Sequence, residues 1–258
     1  MISKTFGVAI CGLYGTSVTI EVNLTKGFGA SVIGAGDAVK EGLVGIRRAI
    51  TSCGFSMPRQ RLLINISPAS IPKNGTGFDL PIAIAILTAS GQLNAGKVLE
   101  QIVLTGELSF DGTLNASSGI IIIAETVRQS GFKALAVPVA NAVDATLIKS
   151  LKIYSCGSLA EVIHLLKKPQ QMSPVKGSHL LTNPEDNDHP DFSEVQGHSY
   201  AKRALEIAAA GGHHLLMVGP PGSGKSMLAK RFASILPVLT EEEMLEVKRI
   251  RQATGLFQ

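Results

Sequence analysis

One pattern constrains this chain more than any other: G-x-x-x-x-G-K-[ST], filled by Gly219, Gly224, Lys225 and Ser226 within LLMVGPPGSGKSMLAKRF at residues 215–232. Glycines let the backbone curl so that successive N–H groups point inward at an anion, where a side chain would block the approach. A lysine adds charge for the outer phosphates, and a serine hydroxyl can ligate Mg²⁺. Such a loop works only between a strand and a helix. The apolar run at 214–218 (HLLMV) predicts a buried parallel strand. Residues 227–236, with Leu228, Phe232 and Ile235 at helical spacing, predict the helix. Gly219, Pro220, Pro221, Gly222, Ser223, Gly224, Lys225 and Ser226 are thus the expected nucleotide-phosphate cradle, with Ser226 the expected metal ligand.

The 258 residues leave room for one large domain or two ordinary ones. At 45% hydrophobic and 17% charged, the chain has plenty to bury. A net charge of +4 is compatible with nucleic acid but does not require it. Cys11, Cys53 and Cys156 form no CxxC and are odd in number, which predicts buried free thiols in a reducing cytoplasm. No signal core opens the sequence, and the longest apolar tract, residues 80–89, contains Pro81 and is too short to span a bilayer. A cytoplasmic location without a membrane partner is expected.

Residues 1–168 read as a continuous α/β domain. Strands are expected at 5–13 and 17–24 around a hairpin turn at 14–16, and at 61–66, 102–110, 134–137 and 152–155. Helices are expected at 37–52, from Asp79 with that residue as cap, at 118–129, at 142–148 and at 158–168. Asp111 and Gly112 suit a hairpin turn. Residues 169–190, with four prolines among polar residues, read as a linker. A second unit at 191–258 opens with a strong helix at 199–210 ended by Gly211 and Gly212. Glu241, Glu242 and Glu243 behind Thr240 look like a capped helix start, and 241–253 is expected to be helical. Adjacent His213 and His214 would point to opposite faces of a strand, which disfavours a shared metal.

DFSEVQGHSYAKRALEIAAAGGHHLLMVGPPGSGKSMLAKRFASIL at 191–236 resembles the opening of the AAA+ module in the magnesium-chelatase-like family of the competence-protein ComM and YifB type. CGLYGTSVTIEV (11–22), NISPASIPKNGTGFDLPIAIAIL (65–87) and LTGELSFDGTL (104–114) resemble that family's leading domain. The resemblance implies an α/β fold: a ribosomal-protein-S5-domain-2-like, Lon-protease-like α+β domain followed by an incomplete P-loop AAA+ module. It implies ATP and Mg²⁺ as cofactors, and Val195, Gln196 and Gly197 as the segment lining the adenine side. Full-length relatives imply a hexameric ring acting on branched or single-stranded DNA in natural transformation. A chelatase-type ATPase subunit, driving insertion of Mg²⁺ into a porphyrin, is the alternative.

A Lon-like peptidase is a third class. On the resemblance, its nucleophile position falls on Gly77 and its lysine position on Ile121, so neither residue can do that chemistry and no catalytic residue is assigned. Thr76 is a substitute nucleophile without a base. Ser67 and Ser70 are expected as loop hydrogen-bonding residues, and Lys73 as a solvated loop charge. Beyond Leu236 no apolar strand ending in Asp or Glu follows, so the parts for ATP turnover are expected to be missing. Residues 191–258 then read as the front of a larger module, one that binds ATP without hydrolysing it.

Overall fold

The computed structural model describes residues 2–73, 77–177 and 190–254. Thr76, Asp186 and Asp188 lie outside the described residues. The chain divides into two compact units, one comprising Met1–Ser178 with Leu245–Gln258, the other His179–Met244.

In the first unit, β1 (Ile2–Cys11) and β2 (Tyr14–Thr25) form an antiparallel hairpin. Its turn falls two residues before the expected place. Cys11 pairs with Tyr14, and Gly12 supplies the left-handed conformation (φ +59°) that a two-residue loop needs. The short strand β3 (Ala30–Ile33) leads through helix α1 (Asp37–Ser52) to β4 (Arg61–Ser67), which pairs parallel with β3 and antiparallel with β2. The sheet order is β1-β2-β4-β3. Val18, Ile20 and Val22 on β2 and Leu62, Ile64 and Ile66 on β4 alternate into the core, as a sheet with one covered face requires.

Helix α2 (Asp79–Ala89) packs on β1, β2 and α1, and is buried all round, with Thr88 its one half-buried residue. Asp79 is not its side-chain cap. The cap position falls on Phe78, and the Asp79 carboxylate turns inward to accept the Leu108 N–H at 3.3 Å. Gly42 of α1 leaves it room, since a Cβ there would stand 2.9 Å from Asp79 Oδ1. Burial pushes its pKa up to about 7.

The strand expected at 102–110 is two strands, β5 (Ile102–Leu104) and β6 (Glu107–Leu108), belonging to different sheets. Gly106, at φ +154°, breaks it. Its N–H donates to the Gly77 carbonyl and its carbonyl accepts the Leu80 N–H, so this backbone serves the start of α2 instead of a ladder. β7 (Leu114–Asn115) pairs antiparallel with β6 across the Asp111–Gly112 turn. Helix α3 (Ile120–Gln129) starts two residues later than expected and buries all four of its leading isoleucines. β8 (Ala134–Pro138), the short helix α4 (Ala142–Ala145) and β9 (Lys152–Cys156) complete a parallel sheet of order β5-β8-β9. Helix α5 (Leu159–Lys167) is capped by Ser158, which accepts the Glu161 N–H, while Glu161 accepts the Gly157 N–H. Of the residues beyond it, Val175 donates its N–H to the Ile153 carbonyl at 2.8 Å and Met172 packs against the core.

Two other expectations are corrected in this unit. Lys73 is 2% exposed and not solvated: Pro68 and Ile71 carbonyls take its ammonium, and burial holds its pKa below the lysine range. Of the cysteines only Cys156 is buried, its thiol pushed up to about 12; Cys53 is half-buried, and Cys11 is exposed at the end of β1 beside the turn.

The second unit contains α6 (Ser199–Gly211) and α7 (Lys225–Arg231). The expected helix at 227–236 is α7 followed by a 3₁₀ turn at Phe232–Ile235. The expected strand at 214–218 is absent: these residues are irregular, with Leu216 87% and Val218 88% exposed. A strand exists only as a member of a sheet, and every described strand lies between Ile2 and Cys156. Helix α8 (Glu241–Ala253) opens with the Thr240–Glu243 capping box and belongs to the first unit from Leu245 onward. There Lys248 pairs with Asp144 at 3.1 Å, Arg249 pairs with Glu125 at 3.2 Å, and Gln252 accepts the Ile121 N–H. No helix of the described residues is long and apolar enough to cross a membrane.

Candidate functional site

The glycine–lysine loop sits between the α6 terminus and α7. Gly212 ends α6 in the left-handed conformation, and the His213 N–H caps the helix on the Ala208 carbonyl at 2.9 Å. Further on, Gly222 (φ +80°) and Gly224 (φ +76°) adopt backbone that side chains resist. The loop therefore curls tightly about the lysine. Lys225 Nζ donates to the carbonyls of Gly219 (2.8 Å) and Pro220 (2.7 Å) and to Ser223 Oγ (3.0 Å). Ser223 Oγ also donates to the Pro220 carbonyl. Ser226 is exposed in the first turn of α7. Pro221 is exposed too, at the outer bend.

The structure brings Val195, Gln196 and Gly197 to the same place. Val195 is buried with Phe192, Leu205 and Leu228, so α6, α7 and this turn share one small core. Gln196 and Gly197 are exposed, and Gly197 turns the chain at φ +69°. His198 follows, also left-handed, and a Cβ on Gly224 would come 3.2 Å from its Nε2. Sequence reasoning missed His198, and missed Lys202, whose ammonium donates to the Val195 carbonyl. It also missed Glu194, which accepts two hydrogen bonds from Arg231 and ties the turn to α7. No spacing in the sequence ties these three to the loop, since each reaches it through a contact that the fold makes.

The arrangement has a plain chemical capacity. An ammonium surrounded by its own loop's oxygens can exchange them for phosphate oxygens, which are better acceptors because they carry charge. For Mg²⁺ the donor set is thin, with Ser226 supplying one hydroxyl. Among the described residues no three His, Cys, Asp or Glu side chains cluster to hold a metal.

A cavity of about 430 Å³ lies in the first unit around Gly77, Thr105, Ser117 and Gly119. A Cβ on Gly77 would meet Thr105 Oγ1 at 3.3 Å. Thr105 and Ser117 hydroxyls bond each other at 3.1 Å, and Asn141 clamps the Ser117 backbone. Ile121 is fully buried. Among the described residues no lysine or histidine lines this cavity.

A glycine loop closed on its lysine at the start of a helix marks the phosphate-binding-loop class of proteins. Comparison with known proteins sharpens the class. The family model for subunit ChlI of Mg-chelatase matches residues 20–141, and that for magnesium chelatase, subunit ChlI, matches residues 191–258. YifB of Escherichia coli is 39% identical over 92% of this chain and 46% of its own length. Competence protein ComM of Haemophilus influenzae is 38% identical over 97% of this chain and 49% of its own. A protein of Mycobacterium tuberculosis is 35% identical over 99% and 50%. The chain belongs to the magnesium-chelatase, ComM and YifB-like family of AAA+ ATPases. It spans about half the length of the curated relatives it matches.

Proposed function

We propose that this chain carries the nucleotide-holding part of a magnesium-chelatase-type AAA+ ATPase. The observation that supports it is the Lys225 ammonium held at 2.7–3.0 Å by three oxygens of its own loop. In this reading the N–H groups of residues 219–226 and Lys225 hold the phosphates of ATP, and Ser226 contributes a hydroxyl to Mg²⁺. Val195, Gln196 and Gly197 lie on the adenine side. Bound Mg²⁺ would neutralise phosphate charge. Residues 191–258 act as the front of the ATPase module, residues 169–190 as linker and residues 1–168 as an S5-like, Lon-like leading domain without peptidase chemistry. The chelatase-type reading leads because both matched family models are chelatase subunits.

A second reading has its own support in the colinear similarity to ComM across 97% of the chain. The whole protein would then be a ring-forming motor acting on DNA in competence.

The nucleotide reading is tested by calorimetry of Mg²⁺–ATP binding to the chain and to Lys225→Ala. The expected outcome is binding that the substitution weakens by about 2 kcal/mol or more, the usual value of a hydrogen bond to a charged group. Equal affinity in both, or none in either, would remove the loop from the function.

A further inference from the structure

We propose that the free edge of β3 takes an extended acidic peptide from a partner protein as a fifth strand of the first sheet. β3 is an outer strand in the order β1-β2-β4-β3. The two edges of this sheet are unlike. β1 packs against β5 and the 3₁₀ turn Gly96–Glu100, whereas the extensive contacts of β3 are all with β4.

Backbone alternation decides which groups of β3 are left over. The Leu62 N–H donates to the Gly29 carbonyl at 2.9 Å, and Ala30 lies beside Leu62 in the parallel register. Alternate residues of a parallel ladder bond the same neighbour. Ser31 and Ile33 therefore turn their N–H and carbonyl groups to β4, while those of Ala30 and Val32 point off the sheet. An edge of this kind is ordinarily guarded by a lysine, a proline or a bulge. The sequence ASVI holds neither residue, its register with β4 is unbroken, and Ile33 stands 57% exposed on it.

A groove of about 340 Å³ opens where β3 begins, with Gly29 and Leu62 in its wall beside Phe28, Arg47, Met57 and Arg59. The guanidinium groups of Arg47 and Arg59 make no hydrogen bond or ion pair among the described residues, and no carboxylate lines the groove. Phe28 is exposed and Met57 half-buried.

These features select the occupant. Pairing with Ala30 and Val32 needs N–H and carbonyl groups alternating along one chain, which a peptide has and a sugar–phosphate backbone lacks. Every second side chain of an added strand points to the same face, so acids at alternate positions can reach the two guanidinium forks. Apolar residues of the same peptide can cover Phe28 and Met57. A second copy of this chain would bring the same arginines to the edge, and like charges oppose that pairing. The surface lies wholly in the first unit, so the proposal does not rest on the nucleotide reading.

The test is fluorescence anisotropy of the whole chain, nucleotide-free, with a labelled hexapeptide of alternating valine and glutamate. Saturable binding that weakens with added salt is expected. The same peptide with lysine for glutamate should not bind. One N-methylated at alternate residues should bind at least about tenfold more weakly, having lost its ladder donors. Arg47→Ala and Arg59→Ala, both at exposed side chains, should each weaken the glutamate peptide about fivefold. Ala30→Pro should weaken it at least about tenfold yet spare the sheet, because the N–H it removes points away from β4. In the parent chain, the peptide should slow amide exchange at Ala30 and Val32 about tenfold and leave Ser31 and Ile33 unchanged. Charge attraction alone cannot produce that alternation. Circular dichroism checks that the variants fold. Absent binding, equal binding of the two oppositely charged peptides, or slowed exchange without the alternation would overturn the proposal. So would an oligo-dT strand that displaces the peptide at lower concentration, or a dimer in sedimentation that Ala30→Pro dissociates, since each names another occupant.

Discussion

Two apolar segments of this chain meet opposite fates. Leu80 to Leu87 run through the middle of the first unit with every side chain buried, enclosed by β1, β2 and α1. Leu215 to Val218 are comparably apolar, yet Leu216 and Val218 stand almost fully in water and Met217 is the one that packs against a core. Burying such a side chain contributes about 1.5–3 kcal/mol, so the difference is large. It comes from neighbours. The first segment has sheet and helix on every side; the second has, among the described residues, four buried side chains in its unit's core and no strand. The loop that holds Lys225 is therefore positioned by the packing of Val195, Leu205 and Leu228 and by the Glu194–Arg231 pair, with no strand behind it.

Truncation should expose this difference most strongly. Ile84→Ala, in the middle of α2, is expected to cost about 3–5 kcal/mol in urea unfolding of the first unit, the cost of a cavity in a dense core. The same change of size at Leu216 should fall within about 0.5 kcal/mol. Comparable losses at both positions would mean that residues 215–218 are packed after all, and the contrast would break.

Asp79 sharpens the comparison with a pH signature that belongs to the first unit alone. Its folded pKa, about 7, stands above the ordinary carboxylate value of 3.8, so the folded state holds the proton more tightly than the unfolded chain does. The resulting stabilisation is complete below about pH 4 and is lost as pH rises through 7. Across that window it amounts to at most about 4 kcal/mol. Asp79→Asn should flatten the profile and make the unit more stable than the parent at pH 8. Urea midpoints at pH 5 and pH 8 measure it, and a parent profile that is already flat would refute the buried acid.

Local signals were readable in the residues, and partnerships were not. Helix α1 runs where its periodicity places it and helix α8 where its Thr240–Glu243 box starts it, because both signals need only the adjacent chain. β3 escaped notice because four residues, ASVI, carry no period of their own and become a strand by lying beside Leu62 to Asn65. The break at Gly106 was invisible for the same reason: its backbone bonds go to Gly77 and Leu80, far away in sequence. At the candidate site the loop residues were legible from their spacing. His198, Lys202 and Glu194 were not, since each acts through a contact that only the fold creates. Lys73 misled because a lysine in a loop is ordinarily wet, and here two carbonyls of the same loop enclose its ammonium.

The smallest expected effect tests whether a local device counts equally in both settings. Two capping boxes share one chemistry. Ser158 accepts the Glu161 N–H at the start of α5, and Thr240 accepts the Glu243 N–H at the start of α8, both at 3.3 Å. Glu161 and Glu243 each reach back to a backbone N–H at 2.8 Å. Replacing either cap by alanine removes about 1 kcal/mol of helix stability. Helix α5 buries Leu159, Val162, Leu165 and Leu166 in the main core, so its first turn cannot fray without disturbing that packing. Ser158→Ala should therefore shift the global unfolding of the first unit by about 1 kcal/mol. The first turn of α8 buries nothing and lies ahead of Leu245, where the helix enters the first unit. Thr240→Ala should leave global unfolding in place and instead speed amide exchange at Glu243 and Met244, about fivefold for 1 kcal/mol. A global shift from Thr240→Ala as large as that from Ser158→Ala would mean that the start of α8 is part of the cooperative core, and the boundary between dense and sparse packing would have to move ahead of it.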